Sequence, residues 1–133
     1  MDDQIILFCD DDPLRAAKMY EWQTESEKHR TIWVRSVKET LIVLRDCAGR
    51  VEQIHLDHDL DGPIPLPTNS PLSGMEIVRF FENLPKHKIE LYLMSRITLH
   101  DHNRYSAIEQ QKRLKALGFK VKYIPFGMES EVF

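Results

Sequence analysis

The stretch Ile5-Ile6-Leu7-Phe8-Cys9-Asp10-Asp11-Asp12-Pro13 decides how the rest of the chain is read. Its apolar part is too short for a buried helix and rich in branched side chains, the pattern of a strand buried on both faces. The run stops at three aspartates. Pro13 then suits the first turn of a helix, where a backbone N–H has no partner to lose, and Asp12 is placed to cap it. A second stretch repeats the device: Val51 to Leu56 reads as a strand and runs into Asp57 and Asp59.

Between these two stretches, Ala16, Met19 and Tyr20 give a modest apolar stripe that predicts one helix through about Lys28. Thr31 to Arg35 reads as a strand, and Ser36 with Glu39 forms a capping box ahead of the Val37, Leu41 and Leu44 face. After Asp59, Leu60 to Ser73 reads as a long, stiff loop carrying Pro63, Pro65, Pro67 and Pro71, placed where a lid over a crevice would lie. Ser73 and Glu76 predict another capping box, Ile77, Phe81 and Leu84 a buried helical face, and Pro85 its end. A fourth strand covers Ile89 to Met94 or continues to Leu99. The first register puts Ser95 at its carboxyl end and the second His100. Asn103 to Leu117 is a polar helix closed by Gly118, and Phe119 to Ile124 is the fifth strand.

Strands alternating with helices, on connections too long for hairpins, predict an α/β fold with a parallel sheet and right-handed crossovers. About nine residues follow the fifth strand, so a last helix is expected to be missing or reduced. One sheet face is then partly uncovered and, if apolar, open to a partner or a second copy.

At 133 residues the chain is expected to form one domain, 1–133. Apolar residues at 42% and charged residues at 29% exclude disorder and low-complexity scaffolds. Eighteen basic against 21 acidic residues leave a net charge of −3, which provides no global field for nucleic acid and leaves only a local basic patch open. Cys9 and Cys47 are too few for a disulfide framework and read as core thiols in a reducing compartment. With no apolar run of membrane-spanning length and Asp2 and Asp3 behind Met1, the expected location is the cytoplasm, without membrane contact. No Walker loop or Gly-x-Ser-x-Gly elbow is present.

In an open parallel sheet, ligands bind beyond the carboxyl ends of strands, where strand order reverses. Both acidic clusters lie at such ends. If the first and third strands are neighbours, Asp10, Asp11, Asp57 and Asp59 share one crevice. Like charges about 4 Å apart there repel by roughly 4 kcal/mol at an effective dielectric of 20. Shared protons or a cation must neutralise them, and an all-oxygen donor set favours Mg²⁺ or Mn²⁺ over zinc.

These residues carry a resemblance. Ile5 to Pro13 resembles the opening of a response-regulator receiver domain, and His55-Leu56-Asp57 with Ser73-Gly74-Met75-Glu76-Ile77-Val78 resembles the segment around its phosphoacceptor aspartate. The resemblance implies a flavodoxin-like three-layer sandwich with a five-stranded sheet of order 2-1-3-4-5. It puts Asp10 and Asp11 at a metal and Asp57 at the phosphoacceptor position. One departure is Ile124, which stands where receivers carry a lysine; Lys122 lies two residues earlier on the same strand face. A nearer likeness is to the cyclic-phosphate-processing receiver domains. Asp57-His58-Asp59-Leu60 resembles their Asp-His-Asp-Leu motif, and His100-Asp101-His102-Asn103 their His-x-x-Asn motif, with Asp101 where serine is more usual.

The resemblance implies a phosphoric-ester hydrolase acting on a cyclic phosphate or cyclic nucleotide. Hydrolysing a phosphodiester needs a cation against the phosphoryl charge, a positioned water and a proton for the leaving oxygen. Asp10, Asp11 and Asp57 are the candidate metal ligands, and Asp59 would position water or complete the metal shell. His100 or His102 would protonate the leaving group, and Asn103 would donate to a phosphoryl oxygen. The expected partner is a small phosphorylated or cyclic-phosphate ligand, nucleic acid entering only as a phosphate end, with a homodimer through the face lacking the last helix. Two other classes stay open: a stand-alone receiver phosphorylated on Asp57, and a silent protein-binding module.

Overall fold

Five short strands, β1 (Ile5–Cys9), β2 (Thr31–Val34), β3 (Val51–Leu56), β4 (Arg96–Leu99) and β5 (Lys120–Tyr123), lie parallel in one sheet of order β2-β1-β3-β4-β5. The computed structural model describes residues 4–57, 73–100 and 104–124. Six helices connect the strands among these residues: α1 (Pro13–Trp22), α2 (Glu25–Arg30), α3 (Val37–Asp46), α4 (Met75–Glu82), α5 (Lys86–Ile89) and α6 (Arg104–Ala116). This is the flavodoxin-like order expected from the sequence. None of these helices is long and apolar enough to cross a membrane.

Register explains the layering, because residues paired across parallel strands point to the same face. Leu7, Ile54, Ile97 and Val121 form one row, and Cys9, Leu56, Leu99 and Tyr123 another. Both face α3, α4 and α6, whose Leu44, Ile77, Val78, Phe81 and Leu114 complete the main core. Phe81 stands at its centre, ring to ring with Phe119 at 4.8 Å and Tyr92 at 5.4 Å, while the Tyr92 hydroxyl donates to the Leu44 carbonyl at 2.7 Å. The alternate rows are Ile6, Gln53, Arg96 and Lys120, then Phe8, His55, Thr98 and Lys122. Only their β1 members are apolar, and these are fully buried.

Local chemistry sets most boundaries. Asp12 caps α1 by accepting the Leu14 N–H at 2.9 Å, with Pro13 in the first turn. Ser36 accepts from Glu39 at the start of α3, and Glu39 reaches back to the Arg35 N–H. Gly118, at φ +105°, closes α6 against the Leu93 side chain, a backbone conformation that a Cβ would strain.

Three boundaries differ from expectation. The single helix drawn through Lys28 is two, because Thr24 and Glu27 make a reciprocal capping box that restarts the helix as α2. The capping box expected of Ser73 and Glu76 does not form. Gly74 is the N-cap, Ser73 is buried, and Glu76 pairs with Arg79 at 2.7 Å. Ile89 to Met94 is not a strand: Pro85 opens the short α5, and Tyr92 turns inward to Leu44, so β4 begins at Arg96. Ser95 therefore lies at the amino end of β4, its hydroxyl on the Val51 carbonyl at 2.5 Å, and His100 lies at the carboxyl end. The face beside β5 also differs from the apolar surface considered above, because its residues are Gln53, His55, Arg96, Thr98, Lys120 and Lys122.

Phe81→Ala should destabilise the protein by about 3–5 kcal/mol, since the surrounding rings cannot collapse into the space. Guanidinium denaturation checks this; a loss below about 1 kcal/mol would contradict the central place given to Phe81.

Candidate active site

The sheet ladder continues one residue past each strand and builds the floor of the site. Asp10 donates its N–H to Val34, Asp57 to Cys9, His100 to Leu56 and Ile124 to Leu99, at 2.8–3.1 Å. Asp10, Asp57, His100 and Ile124 thus form one row along the carboxyl edge of the sheet, at the reversal of strand order. The Trp33 indole N–H holds the Asp10 carbonyl at 2.7 Å, while the Arg35 guanidinium lies 5.3 Å from the Trp33 ring centre.

Asp10, Asp11 and Asp57 converge, with one oxygen from each lying within 4.8 Å of the others. Asp10 and Asp57 are buried. The residue that makes this tolerable is Arg15. Its Nε donates to Asp10 Oδ2 at 2.7 Å, and its Nη2 to Asp10 Oδ1 at 2.8 Å and Asp57 Oδ2 at 3.1 Å. Asp11 and Asp12 stand 3.8 Å from the same guanidinium. The hydrogen bond to Asp10 holds the Arg15 proton more tightly than usual, outweighing partial burial.

Sequence reasoning left Arg15 out. Its only signal was a basic residue three and four positions after Asp12 and Asp11, a spacing that ordinarily marks an exposed helical ion pair. Three carboxylates against one guanidinium leave a formal excess of two negative charges, which suits a divalent cation. The all-oxygen donor set fits a hard one. Asp10 Oδ1 also accepts the Asp12 N–H at 2.9 Å.

His100 lies beside this cluster but is directed into the protein. Its Nδ1 lies 2.8 Å from the Ile124 carbonyl oxygen, and its Nε2 lies 2.9 Å from His55 Nδ1. The two rings are nearly parallel, 5.1 Å apart, with Phe8 against both. An acceptor-only carbonyl fixes the proton of neutral His100 on Nδ1, so His55 must donate from its own Nδ1. His55 Nε2 then carries no proton and lies 3.0 Å from the Gln53 side-chain oxygen, a contact that becomes a hydrogen bond when the amide turns its NH₂ toward the ring. Burial holds both rings neutral: the His100 pKa falls to about 4, and His55 drops well below its usual value through burial and then the His100 charge.

The structure thus brings together Asp10, Asp11, Asp57 and the backbone of His100. Asp59, His102 and Asn103, the companion residues His58 and Asp101, and the proline-bearing loop from Leu60 to Ser73, apart from Ser73 itself, lie outside the described residues. Lys122 lies below this edge, paired in register with Thr98. Cys9 is a core thiol: burial pushes its pKa up to about 12 against the hydrogen bond of Thr40, so it is no nucleophile.

The chain is similar to known proteins in sequence profile and in fold. The family profile described as "Cyclic-phosphate processing Receiver domain" matches residues 5–116. Among solved structures, the signal receiver domain of a protein described as a LuxO repressor from Vibrio parahaemolyticus superposes with a TM-score of 0.57 at 12% identity, covering 96% of this chain and 83% of that one. A response regulator from Burkholderia pseudomallei, solved with a phosphorylated aspartic acid, a calcium ion and citrate, superposes with a TM-score of 0.56 at 17% identity, covering 98% and 65%. At these identities the superpositions establish the fold. No curated protein matches the chain.

Two measurements test the site's electrostatics. Arg15→Gln should lower stability in chelator by about 3 kcal/mol, because it strands a buried carboxylate. It should also tighten divalent binding by at least about tenfold, because it removes a competing charge. Melting curves with and without Mg²⁺ read both effects, and an Mg²⁺ response no larger than wild type would refute the second. The histidine pair gives a pH dependence. Below pH 6.5 the unfolded chain takes up protons that folded His100 refuses until about pH 4. Stability should therefore be full above pH 6.5 and fall through that window, by up to about 1.4 kcal/mol per pH unit for each ring. Denaturation at pH 7 and pH 5 measures this, and the combined His55→Gln, His100→Asn variant should flatten the slope.

Proposed function

The chain belongs to the cyclic-phosphate processing receiver domains, and on that premise we propose that it is a metal-dependent phosphoesterase that opens a cyclic phosphate. The supporting observation is the convergence of Asp10, Asp11 and Asp57 at the strand ends, bound together by Arg15 and left with a divalent charge deficit. Asp10, Asp11 and Asp57 would hold the cation, with Mg²⁺ the first choice and Mn²⁺ the alternative. Bound there, the ion supplies positive charge against the phosphoryl oxygens.

In the proposed reaction, water attacks phosphorus, one ring P–O bond breaks, and the departing oxygen takes a proton. The products are a phosphomonoester and a free hydroxyl on the same molecule. We assign Asp59 to orienting the water and Asn103 to a phosphoryl oxygen. Proton delivery falls to His102 rather than His100, since both nitrogens of His100 serve internal partners. His100, backed by His55, is then a positioning residue that fixes the carboxyl end of β4 beside Asp57. The free thiols Cys9 and Cys47 support a reducing, cytoplasmic setting.

A second reading keeps Asp57 as a phosphoacceptor. It is supported by the place of Asp57 at the carboxyl end of β3, the position implied by the receiver likeness, and opposed by Ile124 at the end of β5. Phosphorus NMR separates the readings. With Mg²⁺ and a panel of cyclic phosphates, the enzyme reading expects monoester product, lost on chelation and reduced on the order of 100-fold by Asp57→Asn or Asp11→Asn. A phosphoryl group on Asp57 after treatment with a small phosphodonor, without turnover, would establish the phosphoacceptor instead. Neither signal, with no Mg²⁺-dependent shift in melting, would leave a binding module.

A further inference from the structure

Away from the main core, the sheet face is polar over β3, β4 and β5. In a helix-covered parallel sheet, alternate residues on both faces are apolar. Here the two rows that turn away from the main core change character across the sheet, from Ile6 and Phe8 on β1 to Gln53 and His55 on β3, Arg96 and Thr98 on β4, and Lys120 and Lys122 on β5. Above the polar half lies an open groove of about 830 Å³. Arg96, Lys120 and Lys122 line it together with Lys115 from the last turn of α6, and all four are exposed.

Among the described residues, positive charge is crowded on this face. Arg96 and Lys120 are direct cross-strand partners on one face, where like charges repel, and Lys122 follows on the same side. Among the described residues, Arg96 reaches only Glu52, at 3.5 Å, a carboxylate it shares with Arg30. No described ion pair involves Lys115, Lys120 or Lys122. Glu27, the one acidic residue among the described residues of the lining, is committed to the α2 capping box. Concentrated positive charge in a chain of net charge −3 is local design rather than overall composition.

We infer that this groove is a second anion site, separate from the aspartate cluster, and that it takes a small ligand carrying several linked phosphates. Charge complementarity selects the anion, and the volume falls in the range of about 300–1,000 Å³ usual for small-molecule sites. A protein partner is disfavoured because its interface needs exposed apolar or aromatic anchors. Of the apolar residues described in this lining, Ile97, Phe119 and Val121 are buried and Ile124 is half-buried, and none is aromatic and exposed. The same lack of exposed rings disfavours a nucleic-acid strand, whose bases would need stacking surfaces. A homodimer through this face would set lysines against lysines.

The inference is independent of the phosphoesterase reading and is tested without cyclic phosphates. Calorimetric titration of the full chain with inorganic tripolyphosphate, in chelator, should show one saturable site that weakens with added salt. Lys120→Ala and Lys122→Ala should each weaken it by about tenfold, the loss of one charge-assisted contact. Lys122→Glu should abolish it, while Asp57→Asn leaves it intact. Adenosine triphosphate binding as tightly or more tightly supports the same assignment. Because the lysines are exposed, unchanged circular dichroism and melting will show that the variants fold. No binding, equal affinity in the lysine variants, loss of binding in Asp57→Asn, or tighter binding of polyglutamate or a single-stranded oligonucleotide would each overturn the inference.

Discussion

The geometry of the site depends on one guanidinium holding two carboxylates that come from strands far apart in sequence. Asp10 and Asp57 are brought side by side by the parallel pairing of β1 and β3, and both are withdrawn from water. Without a cation between them, that pairing would work against itself. Arg15 spans both from the first turns of α1, and the start of that helix is fixed by Asp12 and Pro13. The acidic stretch after β1 therefore does two jobs at once: one aspartate starts a helix, and that helix carries the counter-charge back over another. The clamp is incomplete in charge, and this incompleteness is what suits the cluster to a divalent ion.

Behind the aspartates, the same edge of the sheet is stiffened by neutral groups. His55 and His100 carry a hydrogen-bonded line from Gln53 on β3 to the Ile124 carbonyl beyond β5. The line crosses three strands and ties the end of the edge strand to the centre. A buried polar chain of this kind tolerates little, because any unpaired member would bear the full loss of its water contacts. It gives His100 a role that its place in a functional motif does not suggest.

Much of the fold was legible because it rests on local chemistry. Apolar runs of strand length, a proline after a capping aspartate and a glycine closing α6 each have a local cause, and the alternation of elements leaves few topologies open. Failures came where distant packing overruled local pattern. Tyr92 turned Ile89 to Met94 away from strand structure by reaching Leu44, and the buried Ser73 abandoned the cap that its spacing advertised. The site was legible in its acids and not in its base. Carboxylates repeated at two strand ends announce themselves, whereas Arg15 looks like any helical surface residue until the fold turns it inward. The orientation of His100 was equally hidden, since its partners His55 and Ile124 lie 45 and 24 residues away.

The long sequence separation between Arg15 and Asp57, 42 residues, bears on how the molecule assembles. Pairing β1 with β3 closes a loop that contains α1, α2, β2 and α3, so the aspartates repel one another only once that long-range closure is made. Contacts that mature late alter the rate of opening more than the rate of collapse. Ions captured by the finished cluster should therefore act as a latch on the native state, lengthening its lifetime while leaving the early search for the fold untouched.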